Sequence, residues 1–190
     1  MITRILQSSP HNPRAWLEIG AGGIGSILLP HREEAKAEEA SFGRPLPDQI
    51  DLVLMQEPAR LARADLAIWE TQRCAVPLLG FSLTAADEHG RGPRAIAWLT
   101  EDGEQVFAAG LCSVNELGHH PRSAFSLLVG SSSRAPLYRP LYIQGVPIAD
   151  WLRMPGAQAM SYLRSEWGGR SLQAAAKNEP VPAMLAGATS

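Results

Sequence analysis

Residues 94 to 118 read RAIAWLTEDGEQVFAAGLCSVNELG. Two apolar runs flank Asp102-Gly103, a dipeptide that accepts the positive φ angles of a two-residue hairpin turn. The second run, from Gln105 to Ala109, ends at Gly110, and a helical turn over Ser113 to Leu117 follows it. The stretch therefore predicts a strand, a tight turn, a second strand, a glycine and a short helix.

A strand that passes through a glycine into a helix presents unpaired backbone N–H groups at the edge of a sheet. Such groups suit an anion, often a nucleotide phosphate. The predicted cofactor-binding residues are Gly110, Leu111, Cys112 and Ser113. For Cys112, a buried apolar role is favoured over a reactive thiolate, because its neighbours are apolar and free cysteines are usually buried.

The loop after this stretch carries a local group of basic side chains. His119, His120 and Arg122 are interpreted as a cationic edge beside Gly110, and a plain solvated loop is the alternative. Consecutive histidines diverge in an extended chain, and no second cluster of His, Cys or Asp stands at metal-ligand spacing. No metal site is therefore predicted from the spacing.

Composition bounds the class of protein. A chain of 190 residues with 45% hydrophobic residues predicts one mixed α/β domain, placed at residues 1–170, with a loosely ordered tail at 171–190. A net charge of -2 provides no global basic field, so any contact with DNA must be local or transient. Two cysteines, no signal-peptide pattern and no apolar run near ~20 residues favour a cytoplasmic protein without a transmembrane segment.

The other predicted elements mix strands and helices. Strands are predicted at Ile2 to Leu6, Ile50 to Gln56, Val76 to Phe81 and Phe125 to Val129. Helices are predicted at the charged segment His31 to Ser41, at Arg60 to Gln72, after Pro147 with Ile148, Trp151 and Leu152 on one side, and at Ala157 to Trp167. The predicted fold class is α/β (α+β), a small mixed sheet with flanking helices.

A glycine cluster, Gly20-Ala21-Gly22-Gly23-Ile24-Gly25, has the G-x-G-x-x-G spacing of dinucleotide-binding loops. Locally it also looks like the nucleotide loop of ThiF-type adenylyltransferases. A dinucleotide loop must open a long helix packed on the sheet, whereas Pro30 stands five residues after Gly25. A flexible or tightly turning glycine loop is therefore favoured, and a small nucleotide-dependent transferase stays as an alternative function.

The middle of the chain resembles the ParB/sulfiredoxin-like superfamily. The matching order is a strand at Ile96 to Leu99, the turn at Asp102-Gly103, a strand from Val106 to Gly110 and a short helix that ends at Glu116-Leu117-Gly118. Asn12-Pro13-Arg14 resembles the amino-terminal Asn-Pro-Arg of ParB proteins. The resemblance covers roughly the middle third of the chain plus that tripeptide, and it implies a ParB/sulfiredoxin-like fold.

The resemblance also implies a plasmid-type fertility-inhibition factor that blocks conjugative transfer of DNA or a nucleoprotein. The implied partners are that transfer substrate and the conjugative transfer machinery, met in the cytoplasm or peripherally at the inner membrane. ATPase and deoxyribonuclease activities are left open, with ATP and Mg²⁺ as the matching cofactors. Residues 110–113 would hold phosphates, His119, His120 and Arg122 would offset their charge, and Glu116 would position a metal or a water.

A non-enzymatic protein-interaction module is the alternative from a different class. It would inhibit a partner by occupying its surface, with Trp151, Trp167 and Tyr138 as anchors. An aromatic and basic patch near the end of the sheet would suit bases, phosphates or a partner protein; its residues are Arg134, Tyr138, Arg139 and Tyr142.

Overall fold

Strands make up most of the structure. The computed structural model describes residues 2–9, 16–45, 52–59, 66–84, 94–98, 105–115, 122–132, 135–165 and 174–175. The strands are β1 (Ile2–Ser8), β2 (Trp16–Gly20), β3 (Ile24–His31), β4 (Glu34–Phe42), β5 (Arg44–Pro45), β6 (Leu52–Val53), β7 (Met55–Gln56), β8 (Arg73–Leu78), β9 (Gly80–Thr84), β10 (Arg94–Trp98), β11 (Val106–Asn115), β12 (Arg122–Ser132), β13 (Ala135–Pro140), β14 (Tyr142–Ile143), β15 (Leu163–Arg164) and β16 (Ala174–Ala175). The helices are short: α1 (Leu66–Thr71), α2 (Ile148–Arg153) and α3 (Gly156–Ser161).

Two large sheets and a two-stranded sheet, β5 paired with β6, organise these strands. The smaller sheet is antiparallel, with the order β16-β10-β9-β1-β2. The larger sheet closes on itself, because β12 pairs with β4, β4 with β3, β3 with β8, β8 with β11, and β11 again with β12. The β4–β12 pairing is parallel and the other four are antiparallel. The result is a closed five-stranded barrel, extended by β13, β14, β15 and β7.

The closed barrel corrects the predicted fold class. An α/β (α+β) domain of the ParB/sulfiredoxin-like kind, with a small mixed sheet and flanking helices, is wrong for this chain, because its described residues are rich in strands and poor in helix. Some local predictions are confirmed: β1 covers the predicted strand at 2–6, and α2 follows Pro147 with Trp151 and Leu152 buried. Of the predicted tail, residues 174–175 pair with β10 as β16.

The predicted helix at His31 to Ser41 is wrong. Its Glu, Ala and Lys residues favour a helix by intrinsic propensity, but the segment forms β4, paired with β3 from His31↔Glu34 to Ile24↔Ser41. Arg32, at φ 52, makes the two-residue turn of this hairpin. The strand is selected by tertiary pairing, since burial of Ala40 and Phe42 follows the two-residue period of a strand.

The barrel wall separates two apolar clusters. The first lies inside the barrel and against the smaller sheet; it includes Ile5, Ile27, Phe42, Val76, Phe81, Phe125 and Leu127. The second lies on the outer face, under the helices; it includes Trp69, Ala75, Leu111, Leu128, Trp151 and Leu152. Strands β8 and β11 read as nearly continuous apolar runs because both of their faces are covered.

A glutamine side chain joins the two sheets. The side chain of Gln7 in β1 accepts a hydrogen bond from Ser26 N (2.8 Å) and donates one to Ser26 O (2.9 Å). Leu28 of β3 pairs with Ala75 of β8, and the same register places Ser26 across from Pro77, which has no N–H to donate. Gln7 therefore supplies the pairing that a proline in a central strand cannot.

Candidate functional site

The predicted cofactor-binding residues lie inside one uninterrupted strand. Gly110, Leu111, Cys112 and Ser113 belong to β11, which pairs with β8 on one side and β12 on the other. Cys112 N donates to Gln72 O at 2.6 Å, which continues the ladder beyond β8. The helix predicted to start at Ser113 is wrong, because β11 runs on to Asn115. The free amides on which phosphate binding depended are thus engaged in a sheet.

Gly110 has a packing role instead. A Cβ at this position would lie 2.9 Å from both Cys74 Sγ and Ser126 O. The glycine allows β8, β11 and β12 to approach one another inside the barrel wall, where a side chain has no space.

The predicted catalytic residues lie almost entirely outside the part of the chain that the structure describes. Glu116, His119 and His120 lie outside the described residues. Arg122 begins β12 and pairs with Asn115 of β11, and its side chain is outside the described part. Their assigned roles stay predictions.

The glycine cluster forms a tight turn between β2 and β3. Gly22 N donates to Phe42 O (2.7 Å), Gly23 N donates to Gly20 O (2.9 Å), and Phe42 N donates to Gly23 O (2.8 Å). Gly22 has φ 76, a conformation that glycine adopts without strain. Two amides that would have cradled a phosphate are therefore bonded within the chain, and the tightly turning loop that the sequence favoured is confirmed.

Both cysteines lie in the barrel interior. Cys74 is fully buried and Cys112 nearly so, which confirms the apolar role predicted for Cys112. Burial raises the pKa of Cys74 well above its ordinary value, and the nearby Cys112 acts in the same direction. Burial also raises the pKa of Cys112, although a hydrogen bond with Ser123 opposes this. The thiols are consequently protonated and poor nucleophiles.

A buried arginine holds the helices against the barrel. The Arg73 guanidinium carbon lies 5.2 Å from the ring centroid of Trp69 and 5.1 Å from that of Trp151. Its Nη2 donates to Leu152 O (2.8 Å) and Met154 O (2.6 Å). Burial lowers the pKa of Arg73, with Glu70 acting in the opposite direction. Arg73 thus holds the C-terminal end of α2 against the barrel, a role that the sequence analysis did not predict.

The aromatic residues that the interaction hypothesis names as anchors differ in how exposed they are. Trp151 is fully buried and donates its Nε1 hydrogen bond to Ala159 O (3.0 Å), so it is a core residue and not a surface anchor. Tyr142, from the predicted aromatic and basic patch, is also buried, whereas Tyr138 is 40% exposed. Trp167 and Arg134 lie outside the described residues.

The β3–β4 hairpin has one edge, along β3, that is bonded at Ser26 and Leu28. The backbone of alternate residues in an antiparallel strand faces alternate sides, and in β3 the outward residues are Ile24, Ser26, Leu28 and Pro30. Ser26 is bonded by Gln7, and Leu28 pairs with β8. Pro30 carries no N–H, which protects the remainder of this edge.

Among the described residues, the opposite edge, along β4, has no pairing strand over residues 34–40 and is called the open edge. Phe42 exchanges backbone hydrogen bonds with Gly22 and Gly23, so alternate residues back to Glu34 also bond toward β3. The backbone N–H and C=O groups of Ala35, Ala37 and Glu39 therefore face away from the hairpin. The pairing of β4 with β12 is confined to positions 41 and 42. Over 34–40, no other described strand pairs with β4.

The open edge carries alternating charges. Lys36 and Glu38 lie on one face of β4, with Lys36 Nζ 3.0 Å from Glu38 Oε1. Glu34 and Glu39 are exposed. The edge therefore offers backbone hydrogen-bonding groups framed by both signs of charge.

Two further observations limit the chemistry. Within the ranges that the structure describes, no three His, Cys, Asp or Glu side chains come together as metal ligands. No helix in the same ranges has the length and apolar character needed to cross a membrane.

The comparisons with known proteins identify the fold. No protein-family model matches the sequence, and neither does any curated protein. The chain folds like a phage-related protein. That protein, from Bordetella bronchiseptica, has a TM-score of 0.65 at 14% identity, over 93% of this chain and 94% of its own.

Two other solved structures are similar. One from Bordetella bronchiseptica has a TM-score of 0.61 and 16% identity, over 83% of this chain and 86% of its own. One from Bacteroides thetaiotaomicron has a TM-score of 0.57 and 13% identity, over 77% of this chain and 71% of its own. At these identities, the likeness establishes the fold alone.

Proposed function

We propose that the chain is a non-enzymatic protein-binding module whose partners add an extended segment beside β4. The observation that carries this proposal is the row of outward backbone groups at Ala35, Ala37 and Glu39. An extended segment placed there would continue the hydrogen-bond ladder of the sheet, which is the principle of recognition by strand addition. The backbone supplies affinity and the flanking side chains supply selectivity.

Several other edges of the described sheets are poorer acceptors, and the end strand β2, which has no proline, is shorter than β4 at five residues. β13 contains Pro136 and Pro140, and β15 and β16 are two residues long. Prolines and short lengths are devices that prevent edge-to-edge pairing. β4 has neither a proline nor a short span, since it extends over nine residues.

The side chains beside this edge define the chemistry of a fitting segment. Glu34, Glu38 and Glu39 outnumber Lys36 along β4. A segment that presents a basic residue toward the glutamates and an acidic residue toward Lys36 would be favoured, because opposite charges across a strand pair stabilise it.

The fertility-inhibition hypothesis concerns the identity of the partner. A factor that blocks conjugative DNA transfer would act by occupying a surface of the transfer machinery, and strand addition at β4 is a means of doing so. The ATPase and deoxyribonuclease versions have less support, because they relied on amides of residues 110–113 that are paired in β11.

The test uses a displayed library of random peptides, selected on the purified full-length chain. An enriched peptide is then titrated into ¹⁵N-labelled protein, and we expect the amide signals of Ala35, Ala37 and Glu39 to shift. Ala37→Pro should weaken binding roughly tenfold or more, because the ring removes an outward N–H and occupies the edge. Ala37→Ser is the matched control and should bind like the native chain.

Two results would overturn the proposal. One is a selected peptide that binds Ala37→Pro as tightly as the native chain. The other is a set of shifted amides that lies away from β4. Failure of the library to yield any binding peptide would also count against it.

A further inference from the structure

The order of charges along β4 is complementary to itself. From residue 34 to residue 40 the strand reads Glu-Ala-Lys-Ala-Glu-Glu-Ala. We propose that a second copy of this chain occupies the open edge, with the two β4 strands antiparallel and Ala37 opposite Ala37 of the second copy. The proposal rests on the open edge used for the proposed function and names one occupant for it.

This register places side chains of opposite charge across from one another. Lys36 lies directly opposite Glu38 of the second copy, and Glu38 lies opposite its Lys36. Glu34 lies opposite Ala40, and Glu39 lies opposite Ala35. Across the seven paired positions there are two opposite-charge pairs and no like-charge pair, and opposite charges across an antiparallel pair stabilise it.

The backbone restricts the alternatives. Because Ala35, Ala37 and Glu39 face outward, an antiparallel partner must pair odd-numbered residues with odd-numbered residues. A shift that places Lys36 opposite Lys36 also places Glu34 opposite Glu38. A shift the other way places Glu38 opposite Glu38. Like charges directly opposite one another destabilise a pair, so the charges disfavour both of these shifts. A register centred on Ala35 also pairs Glu34 with Lys36, but it joins only residues 34–36 of β4, whereas the register centred on Ala37 joins seven residues.

The geometry near the centre also favours close approach. Ala37 is exposed and small, and it would lie on the two-fold axis of an isologous dimer. Three outward residues from each copy would exchange backbone hydrogen bonds. The register ends at Ala40, immediately before β12 joins β4 at Ser41. The charges on this edge thus favour pairing with a second copy of the chain and disfavour pairing with other strands.

The dimer is expected to be weak and concentration-dependent. Two seven-residue segments cover less than the roughly 1,200 Å² that stable interfaces bury. Self-association should therefore be detected at high protein concentration and be lost on dilution. Salt should weaken it, because the Lys36 and Glu38 side chains are solvent-exposed.

The experiment is sedimentation equilibrium of the full-length chain over a wide concentration range. Lys36→Glu places glutamates opposite one another, and Glu38→Lys places lysines opposite one another, so each variant alone should be monomeric. An equimolar mixture of the two variants restores both opposite-charge pairs and should dimerise. Ala37→Pro should be monomeric, and Ala37→Ser should associate like the native chain.

The outcomes separate this inference from the proposed function. A native chain that stays monomeric at the highest concentration overturns self-pairing, and so does a mixture of charge variants that does not associate. If library peptides nevertheless shift the β4 amides, the binding module stands and only its occupant is wrong. If Ala37→Pro dimerises as the native chain does, the association uses another surface and the inference fails.

Discussion

Glycine residues in this chain serve two distinct physical purposes. At Gly22, the backbone has φ 76 and no atom lies within 4 Å of an added Cβ, so only the conformation requires glycine. At Gly110, φ is ordinary and the surroundings are tight, with Cys74 Sγ and Ser126 O each 2.9 Å from an added Cβ. The former position makes a turn, and the latter allows three strands to pack.

Gly110→Ala should lower the free energy of unfolding by ~1–3 kcal/mol, because overpacking in a closed interior displaces backbone. The measurement is urea unfolding followed by circular dichroism. Gly22→Ala is the control, and its expected cost of about 1 kcal/mol comes from backbone strain alone. An unchanged urea midpoint for Gly110→Ala would show that the barrel wall has space that the structure excludes.

At the scale of elements, side chains form hydrogen bonds with backbone N–H and C=O groups that the strand pairings leave without partners. Gln7 replaces the missing donor opposite Ser26 and ties the smaller sheet to the barrel. Arg73 ties the helices to the opposite face of the barrel wall through backbone carbonyl groups. Both side chains are buried and polar. Each stabilises the fold because its hydrogen-bond partners are backbone groups that water reaches poorly.

Gln7→Leu should lower the free energy of unfolding by ~1–3 kcal/mol, since Ser26 N–H and C=O would be left without partners. Hydrogen exchange should show faster exchange at the Ser26 amide than at the amides of β11. Gln158→Leu makes the same chemical change at an exposed position of α3 and should have almost no effect. Equal effects of the two substitutions would contradict a joining role for Gln7.

At the scale of the whole molecule, the barrel interior holds acidic groups in their neutral form. Burial raises the pKa of Cys74, Cys112 and Tyr142 above their ordinary values. In the unfolded chain, cysteine ionises near pH ~8.5 and tyrosine near ~10. Between those values and the raised folded-state values, unfolding releases protons, so rising pH favours the unfolded chain.

The stability of the whole chain should therefore be full below pH ~8.5 and decline as pH rises above it, more steeply beyond ~10. Each buried group contributes at most about 1.4 kcal/mol per pH unit. Urea unfolding at a series of pH values under reducing conditions measures this dependence. A variant with both Cys74→Ala and Cys112→Ala should lose the decline between ~8.5 and ~10 and keep the later one. A flat profile for the native chain would contradict burial of these groups.

Local patterns were informative where neighbours in sequence decide the conformation. The strand at 2–6, the turn at the glycine cluster, the burial of Cys112 and the helix after Pro147 were all predictable, because apolar spacing, glycine and proline act within a few residues. In contrast, the β3–β4 edge proposed for binding could not be found from the sequence, since its charged residues have the composition of an exposed helix.

The sequence by itself determined which residues are apolar enough to be buried and where the chain turns. Tertiary structure alone decided that 34–42 is a strand and that β11 continues through Gly110, because both outcomes depend on partners distant in the chain. Phe42 lies beside Phe125, and Gly110 lies between Cys74 and Leu127. Closure of the barrel satisfies the backbone hydrogen bonds of these segments together, and no local propensity can supply that pairing.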